Sequence, residues 1–201
     1  MALQPESIYH IFTRAVGNET LFRQEQNFLF FLRKYQNYIS PVADTFAYCL
    51  LPNHFHFFLQ IKPLALLEKH FKEKKGNKPF NIELVSDFIM ERFSNLLNSY
   101  TKSFNKVYGR KGALFMDYLR RVELKEECQF GATIFYSHKN PVHHGYCKDI
   151  SEWKWSSYAS ILSQAKTSLL REEVLEWFGD VTAFKKYHEQ TIYLKDSLII
   201  E

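Results

Sequence analysis

The chain has 201 residues, 46% hydrophobic and 17% aromatic, enough for one ordinary domain with a sizeable core plus an appendage. No apolar run approaches the roughly 18 residues a membrane span needs, and Met1 to Ser7 lacks the basic start and apolar stretch of a secretory signal, so the expectation is a cytoplasmic protein with no membrane partner. The formal net charge is +4, unevenly spread: six Lys against two Glu over 62–78, seven Lys or Arg against two acids over 100–125, and four bases against seven acids over 171–201.

Tyr9 to Val16 has the composition of a first strand, closed by Gly17-Asn18. From Gln24 to Ile39 the apolar residues at 28, 31, 32, 35, 38 and 39 follow helical spacing, and Pro41 ends the run. Val42 to Leu51 reads as a second strand. Leu51-Pro52-Asn53 turns it into a third, so these two should pair as an antiparallel hairpin. Lys62 to Pro79 reads as a polar, Lys-rich loop. A long helix is expected from Ile82 to Lys106, broken at Gly109-Arg110-Lys111-Gly112, and then a strand over Ala113 to Val122. Glu126 to Lys139 reads as a short helix that stops near Asn140, because Pro141 disfavours helical geometry in the residue before it. Two small helices are expected at Leu169–Phe178 and Thr182–Tyr187. The order strand–helix–strand–strand–helix–strand matches an α+β ferredoxin-like sandwich with a central antiparallel sheet and helices packed on it. A small C-terminal helical extension over 166–201 would follow a first domain at 1–165.

The third strand carries the most informative run, His54-Phe55-His56-Phe57-Phe58-Leu59-Gln60-Ile61. Side chains alternate between faces of a strand. Phe55, Phe57, Leu59 and Ile61 therefore form one apolar face, while His54 and His56 share the other. Two neutral imidazoles at that spacing can converge on a divalent cation. They can also be two half-buried structural histidines, since eight His in 201 residues are enough for a chance His-x-His. Cys49, Cys128 and Cys147 are odd in number and far apart, which fits reduced thiols better than a disulfide framework.

On the helix before Pro141, Gln129, Thr133, Tyr136 and Asn140 share a polar stripe, and Tyr136 and Asn140 at i and i+4 look the same way. His138 points nearly opposite. Tyr136 and Asn140 can be a reactive pair, or a surface tyrosine and a helix cap. The basic residues Lys102, Lys106, Arg110 and Lys111, beside Tyr100, Phe104 and Tyr108, form a strip suited to a polyanion or simply a solvated face.

Several of these stretches together resemble one family. Pro52-Asn53-His54-Phe55-His56 resembles the HUH motif (His, bulky apolar, His) of single-tyrosine transposases. Tyr136-Ser137-His138-Lys139-Asn140-Pro141-Val142, followed by His144-Gly145, resembles the tyrosine motif of their REP-associated branch, and Trp155-Ser156-Ser157-Tyr158 resembles that branch's following segment. Tyr100-Thr101-Lys102, Phe104-Asn105 and Gly112-Ala113-Leu114-Phe115 resemble the helix and strand between the motifs. The resemblance runs from about Tyr9 to Ile161 in consistent order. The chain departs from the pattern at Ser137, usually apolar, and at Met116-Asp117-Tyr118-Leu119, where a Gln and an aromatic are usual.

The resemblance implies a DNA-strand transesterase in residues 1–165. Tyr136 would be the nucleophile and His54, His56 and Asn140 would hold Mg²⁺ or Mn²⁺. The product would be a 5′-phosphotyrosine and the substrate single-stranded or hairpin DNA, handled by a monomer or homodimer. The competing readings are a host protein that binds or nicks hairpin repeats, a non-catalytic RNA-binding module with exposed aromatics on its sheet, and a structural metal site that does not need Tyr136.

Overall fold

The computed structural model describes residues 1–190; the expected C-terminal extension's residues 191–201 lie outside the described residues. The elements run β1 (Ile8–Arg14), α1 (Glu25–Tyr38), β2 (Ala43–Leu51), β3 (His54–Ile61), α2 (Leu64–Lys75), α3 (Ile82–Tyr108), β4 (Arg120–Leu124) and α4 (Glu127–His143). A 3₁₀ turn at Ile150–Glu152 follows, then α5 (Tyr158–Leu162), α6 (Arg171–Phe178) and α7 (Val181–Glu189). The four strands form one sheet in the order β2-β3-β1-β4, every neighbour antiparallel. That is the ferredoxin-like arrangement which the element order implies.

One face of the sheet is covered by α1 and α3. Phe55, Phe57, Leu59 and Ile61 are buried there with Phe31, Tyr35, Ile89, Phe93 and Tyr100. Tyr35 stacks on Phe57 with ring centroids 4.0 Å apart. Its hydroxyl meets Thr45 Oγ1 at 2.8 Å, so the phenol enters the core without stranding a polar atom. The α3 helix is capped at both ends. The Asn81 side chain accepts from Leu84 N–H at 3.3 Å, and Gly109, at φ +61°, ends the helix in the left-handed conformation that glycine adopts without penalty. The opposite face is closed by α4 and the C-terminal helices around Phe46, Phe58, Ile134, Tyr158, Ile161, Val174 and Phe184. The residues either side of position 165 thus share this second core.

Three expectations are corrected. Lys62 to Pro79 is not all loop, because Leu64–Lys75 is helical. Leu67 and Phe71, at i and i+4, supply its buried stripe, with Phe71 edge-on to Phe88 at 5.1 Å, and the lysines occupy the solvent side. The strand expected over Ala113 to Val122 lies later, at Arg120–Leu124. Residues before it meet the chain just past β1 through a bridge between Ala15 and Phe115, and the Thr13 hydroxyl, rather than a backbone ladder, holds the Tyr118 carbonyl at 3.2 Å. Finally, α4 does not stop at Asn140. It runs through Pro141 to His143. Proline removes a donor, but Asn140 O still accepts from His144 N at 3.0 Å and Pro141 O from Tyr146 N at 2.8 Å, with Gly145 at φ +71° turning the chain back.

Candidate active site

The antiparallel register sets His56 opposite Phe12 of β1 and Cys49 of β2, and His54 opposite Arg14 and Leu51. The same pairing brings His10 of β1 diagonally against His56. His10 Nε2 lies 2.9 Å from His56 Nδ1, both rings buried and stacked at 5.1 Å. On the other imidazole, His54 Nδ1 meets Asn53 Oδ1 at 2.7 Å. An amide oxygen only accepts, so His54 carries its proton on Nδ1. In both rings Nδ1 is engaged from behind, while His54 Nε2 and His56 Nε2 are buried and make no hydrogen bond of ordinary geometry. Outer partners of this kind set tautomer and ring direction at metal-binding imidazoles.

Burial pushes the His54 and His10 pKa values down to about 4 and that of His56 well below its usual value. For His54 the His144 imidazole lowers it further while the Asn140 side chain works the other way; for His56 the neighbouring His10, His54 and His144 add to the burial effect. The rings are therefore neutral near pH 7, the state in which an imidazole offers a lone pair.

The α4 helix lies across this pair. Tyr136 stands edge-on to His56 at 5.7 Å and to His10 at 6.3 Å, and is only 4% exposed. Asn140, one turn further, is fully buried, and neither its Oδ1 nor its Nδ2 makes a hydrogen bond of ordinary geometry. So the structure gathers His54, His56, Tyr136 and Asn140 into one place. Tyr136 is not a surface tyrosine, and Asn140 is not the residue at which the helix ends. Among the described residues no three His, Cys, Asp or Glu converge as a metal site. An ion here would rest on two imidazoles and an amide oxygen, and the unbonded His54 Nε2, His56 Nε2 and Asn140 Oδ1 fit that donor set.

A cleft of about 200 Å³ opens beside the histidines, lined among others by Arg14, His54, His56, Tyr118, Arg120 and His144. The His144 ring is 4.9 Å from that of His54. Tyr118 is 48% exposed, with the Arg120 guanidinium over its ring at 5.2 Å. Sequence reasoning missed His10, Arg14, Arg120 and Tyr118 as site residues. His10 shares the alternation of β1 with Phe12, but only the strand register reveals that it meets His56.

The basic strip lies elsewhere. Lys102, Lys106 and Lys111 are exposed at the far end of α3, which packs on the opposite face of the sheet. Arg110, expected with them as a phosphate contact, is engaged within the chain. Its guanidinium donates to Glu19 Oε1 at 2.7 Å, Asn105 Oδ1 at 3.1 Å, Gly112 O at 3.2 Å and Ala113 O at 2.6 Å. The sheet surface that an RNA-binding platform would expose is covered: His56 and Phe58 lie buried on the face closed by α4. Among the described residues no helix is long and apolar enough to cross a membrane.

No family model matches the sequence. Over 118 residues the chain is 24% identical to a protein of Haemophilus influenzae named for the REP-associated tyrosine transposases, covering 57% of this chain. The chain spans 58% of that relative's length. In fold it is similar to the structure of a REP-associated tyrosine transposase bound to a REP hairpin, with a TM-score of 0.55 over 82% of this chain and 83% of the other, at 14% identity. Sequence and fold likeness thus point the same way: the chain is similar to a REP-associated tyrosine transposase over part of its sequence and to another in fold.

Proposed function

We propose that the chain is a metal-dependent transesterase acting on hairpin-bearing single-stranded DNA, with Tyr136 as its nucleophile and His54, His56 and Asn140 as the holders of Mn²⁺ or Mg²⁺. The observation that carries this reading is the position of Tyr136, edge-on to His56 and one turn from Asn140, on a helix laid across two imidazoles whose Nε2 atoms are buried without hydrogen bonds. The family likeness supports hairpin DNA as the substrate class.

The chemistry is an exchange of one phosphodiester for another. Tyr136 Oη bonds to phosphorus, the P–O3′ bond breaks, and its electron pair leaves on the 3′ oxygen, which takes up a proton as the phenol gives one away. The products are a 5′-phosphotyrosine and a 3′-hydroxyl, no ATP is consumed, and the step is readily reversed. A phenol of pKa about 10 is a weak nucleophile at neutral pH. A bound cation would supply positive charge to a non-bridging phosphate oxygen. The chain's own contribution is orientation. His10 and Asn53 hold the imidazoles, α4 presents the phenol, Arg14 and Arg120 offer charge to flanking phosphates, and Tyr118 offers a face on which an unpaired base can stack.

The test is incubation of the protein with single-stranded hairpin DNA and Mn²⁺, followed by denaturing gels and mass spectrometry. The expected result is a covalent adduct at Tyr136 that disappears in Tyr136→Phe while hairpin binding persists. An adduct that survives in Tyr136→Phe, mapped to another residue, overturns the assignment.

A further inference from the structure

The α4 helix has a second buried face, turned away from the histidine pair. Gly131, Phe135 and His138, at i, i+4 and i+7, lie along it and meet the C-terminal helices. The Trp177 indole of α6 fills the space a β-carbon at Gly131 would need. Phe135 packs edge-on to Tyr187 at 5.8 Å and against His188 at 5.7 Å. At the end of the row His138 and His188, both buried, meet with Nδ1 and Nε2 2.9 Å apart.

The direction of every hydrogen bond in this group follows from its two ends. The Phe184 carbonyl can only accept, so His188 Nδ1 carries the proton in the 2.8 Å contact between them. His188 Nε2 is then the acceptor for His138 Nδ1–H. That leaves His138 Nε2 as acceptor of the Ser157 hydroxyl at 2.8 Å. Ser157 Oγ in turn accepts from Tyr48 N–H at 2.9 Å. The Tyr48 carbonyl, at 3.3 Å, is a second and longer acceptor for the Ser157 hydroxyl, and with the proton on the shorter 2.8 Å bond to His138 the chain of donors runs from the backbone of β2, through the segment before α5, through α4, into α7. β2 is the direct neighbour of β3, which carries His54 and His56.

We infer that His138 and His188 are positioning residues for the reaction: their hydrogen bond, continued through Ser157 to β2 and through Phe184 to α7, fixes the rotation and axial height of α4 and so the placement of Tyr136 over the histidine pair. This assigns the C-terminal helices a part in catalysis. It rests on Tyr136 as the nucleophile. The geometry requires each imidazole to donate at one nitrogen and accept at the other. An amide side chain can do both, and a phenyl ring can do neither.

The experiment measures hairpin affinity, Mn²⁺ affinity and the single-turnover rate of adduct formation at saturating DNA and Mn²⁺, on full-length protein. His188→Phe keeps a planar aromatic ring, slightly larger than the imidazole, and removes the hydrogen bonds. It is expected to slow adduct formation by about 10–100-fold, the scale of a misplaced reacting group, with hairpin and Mn²⁺ affinity within about twofold of wild type. His188→Gln is expected to recover most of the rate. Ile89→Val, in the core on the other side of the sheet, lowers stability without touching α4 and is expected to leave the rate per folded molecule unchanged. Should His188→Phe fail to fold, Ser157→Ala breaks the same chain of bonds at its other end and is expected to slow the rate likewise. A wild-type rate in whichever of these two variants folds, or an equal fall in Ile89→Val, overturns the inference. An adduct that survives in Tyr136→Phe defeats the functional reading instead, so the two failures are distinguishable.

Discussion

The two faces of the sheet are built on opposite principles. Under α1 and α3 the core is close-packed and apolar, and its buried phenols are hydrogen-bonded, Tyr35 to Thr45 and Tyr100 to the Leu21 carbonyl at 2.6 Å, while Arg92 Nε is a buried atom there without a hydrogen bond. Under α4 the sheet carries histidines, and His54 Nε2, His56 Nε2 and Asn140 are buried without the hydrogen bonds that such atoms normally make. A buried polar atom left unmatched lowers stability by about 1–3 kcal/mol. The first face stabilises the sheet, and the second leaves buried lone pairs unmatched at a cost to that stability. This is the asymmetry expected when a rigid core supports a reactive site.

The comparison can be broken most forcefully on the apolar face. Phe57→Ala should lower stability by about 3–5 kcal/mol, read by urea or thermal unfolding. A loss under 1 kcal/mol would mean that this core does not carry the fold.

Acid sharpens the contrast. His10 and His188 are buried with pKa values held down to about 4, whereas in the unfolded chain they titrate near 6.5. Between those values the unfolded state binds more protons, so stability present above pH 6.5 should be lost as pH falls toward 4 and level off below it. Urea titrations at stepped pH measure this, and a flat profile would contradict the burial of these rings.

Two substitutions on the histidine face probe its design. His10→Phe removes the partner of His56 Nδ1 and should weaken Mn²⁺ binding by about 10–100-fold, with little change in hairpin affinity. Calorimetry checks this, and unchanged metal affinity would remove His10 from the site. Asn140→Leu should have the opposite sign for stability. In metal-free protein it removes two buried polar atoms that make no hydrogen bond of ordinary geometry, together with the weaker contact of Asn140 with His54, and should add about 1–3 kcal/mol, while Mn²⁺ affinity falls. If this variant is less stable than wild type, the polar atoms of Asn140 are better satisfied than the geometry indicates.

The smallest effect concerns DNA. Each phosphate contact adds about −0.7 to the slope of log affinity against log salt for single strands. Arg14→Ala with Arg120→Ala, beside the histidines, should flatten that slope more than Lys106→Ala with Lys111→Ala on the far side of the sheet. Equal flattening would restore the α3 strip as a main contact. Arg110→Ala belongs in neither group, since its guanidinium ties α3 to Glu19 and Ala113.

What the sequence determined by itself is whatever depends on local periodicity. Alternation over His54 to Ile61 is enough to place two imidazoles on one face and four apolar side chains on the other, and helical spacing is enough to align Tyr136 with Asn140. Those patterns also led to the fold class and to the pairing of the second and third strands, because hairpin and crossover connections leave few alternatives. The α2 helix escaped notice because only Leu67 and Phe71 mark its buried side among many lysines. The run of α4 through Pro141 was decided by tertiary packing and by the turn at Gly145, against the local preference of Asn140. The outer half of the site was likewise beyond local reading. His10 meets His56, and Arg14 sits opposite His54, only in the antiparallel register of β1 on β3, and a slip of one residue would turn His10 to the other face. His138 meets His188 across 50 residues of chain for the same reason. Periodicity is a property of neighbours in sequence, whereas register and helix docking are set by which distant surfaces bury each other best.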